Sequence, residues 1–206
     1  FLKSTALVSV ASLVVPAAAF GSCVPQEKKK LGVALVGLGS YSTTMLSKAL
    51  KEAGRCYLAG VVSGSPAKAK EWSKQYGFPE KNIYDYKTFR NIADNKDIDI
   101  VYVVTPNSLH AEHTITALEA GKHVICEKPM ALTAAEAMQM INAAKKANRK
   151  LAIGYRMHYD PNFIEAKRLG QGEMFGSVNY IEAALGYSFA PEVDSWKVKK
   201  AMGGGS

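Results

Sequence analysis

The sequence has few cysteines, no long hydrophobic run and fewer acidic than basic residues. Only 3 of its 206 residues are cysteine, and 26 Lys and Arg against 18 Asp and Glu give a formal charge of +8. The low cysteine content excludes a disulfide-rich miniprotein, and no apolar stretch reaches the ~18–20 residues that cross a bilayer. The lysines are scattered rather than clustered with aromatic residues, which disfavours nucleic-acid binding. The composition is typical of a globular protein.

The first 22 residues have the pattern of an export signal. Phe1-Leu2-Lys3 matches the end of the twin-arginine pattern S-R-R-x-F-L-K, and an uncharged apolar stretch covers residues 6–20. Residues 17–19 form an A-x-A cleavage site, whereas Gly21-Ser22-Cys23 is similar to a lipobox that would place a lipid on Cys23. An ordinary buried helix is the third reading of residues 6–20, although they lack a polar face. We expect export to the periplasm, with membrane attachment only through such a lipid.

Short apolar runs alternate with helical patterns over residues 31–153. This alternation predicts an α/β fold, with a doubly wound parallel sheet of the Rossmann type. Residues 154–206 then begin a second, incomplete α+β domain, with a helix over about 160–169 and a strand over 178–185. In the first domain we expect strands at 31–36, 56–63, 98–104, 123–127 and 151–153, and helices at about 42–53, 65–76, 109–120 and 133–147.

A glycine motif, Gly37-x-Gly39-x-x-Ser42, joins the first predicted strand to the first predicted helix. In this context the first glycine permits a tight turn, and the second lets the backbone approach a pyrophosphate at the helix N-terminus. Ser42 stands where a third Gly or Ala is usual. The pattern predicts a dinucleotide-binding loop that consists of Gly37, Leu38, Gly39, Ser40 and Tyr41.

The acidic residue that binds the ribose hydroxyls of NAD is missing. No Asp or Glu lies between Glu52 and Glu71, and the second strand is followed by Ser63-Gly64-Ser65 and then Lys68. A 2′-phosphate is negatively charged, so two hydroxyls, a helix N-terminus and an ammonium would stabilise it, whereas a carboxylate would repel it. The sequence therefore favours NADP over NAD as the cofactor.

Lys128 is the candidate catalytic residue. It follows the strand that begins at His123, so we expect it in the crevice at the carboxyl ends of the strands, near the nicotinamide. A lysine there can move the proton of a substrate hydroxyl while hydride leaves the same carbon. The competing reading of Lys128 is a solvated loop lysine. We expect no metal site, because His110 and His113 have no third ligand at zinc spacing.

Several of these segments together resemble the glucose–fructose oxidoreductase and inositol dehydrogenase (Gfo/Idh/MocA) family. They are Gly37-Leu-Gly39, Ser63-Gly64 with Lys68, Thr105-Pro-Asn-Ser-Leu-His110, Glu127-Lys-Pro129 and the stretch 154–161. The stretch 83–86 (IYDY) and the ending from Trp196 to Ser206 are most similar to the NADP-dependent glucose–fructose oxidoreductase branch.

The resemblance implies roles for individual residues. Lys128 would be the catalytic lysine, with a cis bond to Pro129. Glu127, Arg156 and Trp196 would border the nicotinamide and the substrate. The pyrophosphate side would be lined by Thr105, Pro106, Asn107 and His110, and Tyr86 would approach the adenosine half.

The resemblance also implies a second catalytic residue, a His or Tyr in a D-x-G-x-[HY] segment, beyond Ser206. We therefore expect the full-length protein to be an NADP-dependent oxidoreductase of a sugar or polyol, and a homo-oligomer, and the present chain to be an inactive fragment. One alternative is a dissociable NAD(P)-linked sugar dehydrogenase of the same family. Another is an exported protein that binds a nucleotide or sugar without catalysis.

Overall fold

A computed structural model describes residues 29–172, 176–184, 186, 188 and 195–203. Within these residues six strands form one sheet: β1 (Leu31–Val36), β2 (Cys56–Val62), β3 (Ile83–Tyr84), β4 (Ile100–Val103), β5 (His123–Cys126) and β6 (Leu151–Ile153). The spatial order is β3-β2-β1-β4-β5-β6, and every neighbouring pair is parallel. This confirms the Rossmann-type α/β fold expected from the sequence.

Helices connect the strands and cover the sheet. A π-helical turn, Ser42–Leu46, leads into α1 (Ser47–Glu52), and the others are α2 (Pro66–Tyr76), α3 (His110–Glu119), α4 (Ala134–Ala147), α5 (Pro161–Gln171) and α6 (Lys200–Gly203). Short 3₁₀ helices occupy Glu80–Asn82, Phe89–Asp94, Asn107–Leu109, Arg156–Tyr159 and Trp196–Val198.

Local capping explains where several helices begin. The Ser65 hydroxyl accepts from the Lys68 amide at 3.4 Å at the start of α2. Thr133 and Glu136 form a reciprocal capping box on α4, and Asp160 accepts from two amides at the start of α5. These side chains bind backbone amides that a helix leaves without partners, so the starts of all three helices are readable in the sequence.

Two apolar cores lie on opposite faces of the sheet. Ala34 and Val36 of β1 pack in one core with Phe89, Leu118 and Met140, under α3 and α4. Leu35, which lies between Ala34 and Val36 in β1, faces the second core. Other members of that core include Leu58, Val61, Trp72 and Phe78. Both faces of β1 are therefore buried, and this burial explains its unbroken apolar run.

Three sequence expectations differ from the structure. β3 was not expected, because two residues are too short to show a period. β4 is shorter than the expected 98–104, because the Ile98 amide closes a turn onto the Asn95 carbonyl at 3.4 Å. The strand expected at 178–185 is wrong for residues 178–184, which are exposed and have no neighbouring strand among the described residues. The expected signal at 1–22, Cys23 and residues 204–206 lie outside the described residues.

Cys56 and Cys126 are free thiols, the second of them buried. Within the part of the chain that the structure describes, no helix has both the length and the apolar character needed to cross a membrane.

Candidate functional site

The loops after β1, β2, β4 and β5 lie at the carboxyl edge of the sheet, because the four strands are parallel neighbours. These loops carry most of the residues predicted from the sequence to bind the cofactor or to take part in catalysis. Open α/β sheets bind ligands at this edge, in particular where the strand order reverses between the first and fourth strands.

The loop after β1 is shaped by two glycines and a serine. Gly37 has a φ of +96°, and a Cβ on it would lie 2.9 Å from the Val104 carbonyl oxygen, so a side chain is excluded. The buried Ser42 hydroxyl donates to the Gly37 carbonyl at 2.7 Å. A Cβ on Gly39, in contrast, would meet no protein atom within 4 Å. The backbone at Gly39 is thus open to a ligand.

The loop after β2 is ordered by its own hydroxyls. The Ser63 hydroxyl, which is buried, accepts from the Ser65 amide at 3.1 Å. The Lys68 ammonium reaches back across the edge and donates to the Leu38 carbonyl at 2.6 Å. Because an ammonium has three N–H donors, this contact joins the two loops and leaves Lys68 with donors to spare.

Tyr86 lies against the loop after β2. A Cβ on Gly64 would be 3.3 Å from Cε2 of Tyr86. The Tyr86 ring stacks on His113, with centroids 5.2 Å apart and planes 6° apart. His113 Nδ1 lies 3.1 Å from the Thr105 hydroxyl. This position of His113 was not predicted from the sequence, where His113 was weighed only as a zinc ligand, because Tyr86 and Phe89 are distant along the chain.

His110 is part of the support for these loops. It is 1% exposed, and its ring nitrogens lie 2.7 Å from the Pro129 carbonyl oxygen and 2.9 Å from that of Thr105. It therefore ties the end of β4 to the segment after β5. The resemblance implied that His110 lines the pyrophosphate side; in the structure both of its ring nitrogens already face carbonyl oxygens.

Glu127 is held in place by a tyrosine of the neighbouring strand. Tyr102 donates to Glu127 Oε1 at 2.6 Å, and the Lys128 amide donates to Oε2 at 3.3 Å. Burial first, and then the hydrogen bond to Glu127 and its charge, raise the pKa of Tyr102 strongly, so the phenol remains a donor. A Cβ on Gly154 would lie 2.8 Å from Glu127 Oε1, so a side chain there would displace the Glu127 carboxylate. Sequence reasoning missed Tyr102, whose only signal is a tyrosine within an aliphatic strand.

Lys128 is exposed at this edge, and its bond to Pro129 is cis, as the resemblance implied. Tyr41, from the glycine loop, belongs to the same electrostatic neighbourhood. The pKa of Tyr41 is raised by burial and by the Glu127 carboxylate and is lowered by the Arg156 guanidinium. The glycine loop and the Glu127–Lys128 segment therefore face a common space.

The last described segment reaches the same edge. Asn107, which follows Thr105 and Pro106, donates through Nδ2 to the Gly203 carbonyl at 2.9 Å. Trp196 is half-buried in the 3₁₀ helix that precedes α6. Residues 195–203 thus adjoin the loop after β4, which brings the predicted Trp196 to the side of the sheet that carries Asn107.

These residues fit a dinucleotide. The open backbone at Gly39 lies at the start of the first helical segment, where a helix favours an anion, and the hydroxyl groups and ammonium of residues 63–68 lie beside it. The described ranges contain no group of three His, Cys, Asp or Glu side chains placed to bind a metal ion.

Comparison with known proteins agrees with this description. A family model described as an oxidoreductase family with an NAD-binding Rossmann fold matches residues 31–155. The crystal structure of aldose-aldose oxidoreductase from Caulobacter crescentus, complexed with glycerol, superposes with a TM-score of 0.77 at 44% identity, over 86% of this chain and 52% of that one.

Two of the similar proteins are named as dehydrogenases. D-xylose 1-dehydrogenase [NADP(+)] of Haloarcula marismortui is 30% identical over 84% of this chain and 48% of its own length. Inositol 2-dehydrogenase/D-chiro-inositol 3-dehydrogenase of Lactiplantibacillus plantarum is 30% identical over 66% and 39%. The chain spans about half or less of the length of these relatives. Since the family model covers more than half of the chain, and the sheet order and the glycine loop agree with it, the chain belongs to the Gfo/Idh/MocA family of oxidoreductases with an NAD-binding Rossmann fold.

Proposed function

We propose that the full-length protein is an NADP-dependent oxidoreductase that transfers hydride between the nicotinamide and a sugar or polyol. The observation that carries this proposal is the position of Lys128. Its exposed side chain follows β5, at the edge of the sheet where the open backbone of Gly39 follows β1. The activities named for the xylose, inositol and aldose relatives support a sugar or polyol as the substrate.

A bound nicotinamide nucleotide supplies the carbon that accepts or donates the hydride. In the oxidation direction, Lys128 takes the proton of the substrate hydroxyl while hydride leaves the same carbon, and in the reverse direction it returns that proton. Glu127, fixed by Tyr102 and the Lys128 amide, presents a carboxylate beside Lys128. A carboxylate in this position would stabilise the positive charge of an oxidised nicotinamide ring nearby.

The preference for NADP rests on the loop after β2. This loop presents Ser65 at the N-terminus of α2 and the Lys68 ammonium, and no carboxylate lies between Glu52 and Glu71. A 2′-phosphate carries charge that such donors stabilise and that an acidic residue would repel. The Lys68 contact with Leu38 holds this cation close to the glycine loop.

We also propose that the protein is exported with its cofactor already bound. The support is the agreement of Phe1-Leu2-Lys3 and residues 6–20 with a twin-arginine signal, a type of signal used for folded proteins. A trapped NADP would be recycled by oxidising one sugar and reducing another. Purified full-length protein that contains no nucleotide would count against this part of the proposal, and mass spectrometry of its N-terminus distinguishes cleavage from a lipid on Cys23.

Activity is proposed for the full-length protein and not for residues 1–206 alone, because the relatives are about twice as long. The rival within the family is a dehydrogenase with a dissociable NAD(P). A binding protein without catalysis is the rival from a different class. A D-x-G-x-[HY] segment after Ser206 would support an enzyme, whereas replacement of its His or Tyr would support the binding protein.

Replacing Lys128 tests the catalytic assignment. In the full-length protein, Lys128→Ala should lower sugar-dependent turnover of the nicotinamide by ~10²-fold or more. Lys128→Arg should remain impaired, because a guanidinium does not release its proton at neutral pH. Lys74→Ala, an exposed lysine at the far end of α2, is the control and should keep full activity. Unchanged turnover in Lys128→Ala would remove the proposed role.

A further inference from the structure

His113 and Tyr86 form a pair of stacked rings at the adenosine side of the proposed nucleotide site. His113 is 6% exposed and Tyr86 is 43% exposed, so one ring is buried beneath the other. Their planes differ by 6° and their centroids are 5.2 Å apart. Such offset stacking is a favourable arrangement of aromatic rings.

The buried ring is fixed from two further directions. Phe89 meets the His113 ring edge-on, at 6.1 Å and 81°. The Thr105 hydroxyl lies 3.1 Å from His113 Nδ1, which adds a polar contact that sets the rotation of the imidazole. Because Phe89 is 1% exposed and Thr105 is also buried, His113 has little freedom to move.

The exposed ring lies directly beside the nucleotide loop. Cε2 of Tyr86 approaches Gly64 so closely that a Cβ there would be 3.3 Å away. Gly64 lies between Ser63 and Ser65, whose hydroxyl groups we propose as donors to the 2′-phosphate. A flat, partly exposed aromatic ring at this place is suited to stacking with a purine, since every base has a π-face.

We propose that His113 is a positioning residue for nucleotide binding: it holds the Tyr86 ring as a preformed platform for the adenine of NADP. This inference rests on the proposed nucleotide site and adds a residue to it. Because His113 already orders the Tyr86 ring, that ring loses less conformational freedom when NADP binds. His113 should therefore increase the affinity for NADP. His113 is too deeply buried to touch the ligand itself, and acts through Tyr86. Burial also lowers the pKa of His113, which keeps the stacked imidazole neutral at physiological pH.

The test measures binding of adenosine 2′,5′-bisphosphate, the adenosine half of NADP, to the nucleotide-free full-length protein. We expect His113→Leu, which fills the space without an aromatic ring, to raise the Kd about fivefold, in the range reported for aromatic pairs. His113→Phe restores the ring and should bring the Kd to within about twofold of the original protein. In steady-state assays the effect of His113→Leu should appear in the KM for NADP rather than in kcat, because His113 acts on binding.

A double-mutant cycle separates positioning from a general loss of structure. If His113 acts through Tyr86, His113→Leu should change the Kd little in a Tyr86→Leu background. Leu118→Val, a buried change elsewhere on α3, is the control for lowered stability and should leave the Kd unchanged.

Two results would overturn the inference while leaving the nucleotide site intact: an unchanged Kd in His113→Leu, or effects of His113→Leu and Tyr86→Leu that add fully. If the unsubstituted protein binds neither NADP nor the adenosine fragment, the proposed function fails, and this inference fails with it.

Discussion

The Tyr102 hydroxyl donates to Glu127 Oε1 over 2.6 Å, and so a side chain in the middle strand β4 fixes the carboxylate at the end of β5. Tyr102→Phe removes that bond and keeps the ring. Because hydrogen bonds to charged groups contribute about 1.5–3 kcal/mol, we expect turnover in the full-length protein to fall about tenfold. Steady-state kinetics check this, and Tyr57→Phe, at the amino end of β2, is the matched control. Equal rates for Tyr102→Phe and the unsubstituted protein would show that Glu127 needs no such support.

His110 joins the carbonyls of Thr105 and Pro129. His110→Leu removes a polar partner of the Thr105 and Pro129 carbonyl oxygens, so the free energy of unfolding should fall by about 1–3 kcal/mol. Urea denaturation measures the loss. Turnover should fall as well, because the segment that carries Lys128 is no longer tied to β4. A variant with unchanged stability would mean that both carbonyls find other partners.

Gly37 and Gly39 should respond differently to alanine. Gly37→Ala forces a Cβ towards the Val104 carbonyl at a positive φ, so we expect a loss of about 1–3 kcal/mol in stability. Gly39→Ala meets no protein atom and should leave stability within about 0.5 kcal/mol. It should nevertheless weaken NADP binding at least tenfold, or about 1.4 kcal/mol, because the methyl group occupies the path of the pyrophosphate. Denaturation and calorimetric titration of both variants separate the two effects. Full NADP affinity in Gly39→Ala would place the pyrophosphate elsewhere.

Ser65 allows a test of cofactor preference that spares the helix. Both Asp and Asn cap helices as well as Ser does, so Ser65→Asp and Ser65→Asn should keep α2 intact. Only the first adds a carboxylate where we place the 2′-phosphate. We expect Ser65→Asp to lower the affinity for NADP about tenfold or more relative to NAD, and Ser65→Asn to change the ratio little. The ratio of the two Kd values is the measurement, and the same ratio in both variants would argue against this phosphate site.

The buried His113 should make stability depend on pH. Burial lowers the pKa of His113 below the ordinary 6.5; the charge of Glu112 opposes this shift, and His110 adds a smaller lowering. Between the folded-state pKa and about pH 6.5 the unfolded chain therefore binds more protons than the folded chain, and stability falls as the pH drops through that window. His113→Leu should lose this component. Denaturation at several pH values should show that the stability of the unsubstituted protein falls relative to that of His113→Leu on acidification. A pH-independent difference between the two proteins would contradict the pKa shift.

Local chemistry explains what the sequence could predict. The apolar runs of β1 and β2 and the caps at Ser65 and Thr133 depend on neighbours within a few residues, so the sheet and several helix starts follow directly. β3, with two residues, has no detectable period. The segment 178–185 has the pattern of a strand, but its described residues, 178–184, have no partner strand among the described residues, and a strand needs a partner.

The supports of the candidate site were harder to find, because their partners are remote in sequence. Tyr102 and Glu127 are 25 positions apart, and the Lys68 contact with Leu38 spans 30. His113 stacks on Tyr86 only because α3 and the segment after β3 meet beside β4. The glycine loop and Lys128 were readable from motifs, whereas the side chains that hold them required the fold.

A crystal structure of the full-length protein with NADP would show where the nucleotide binds. We expect the 2′-phosphate beside Ser63, Ser65 and Lys68, the pyrophosphate over Gly39, and the Lys128 ammonium within reach of the nicotinamide. A nucleotide bound away from the carboxyl edge of the sheet, or a Lys128 side chain directed away from the nicotinamide, would contradict it.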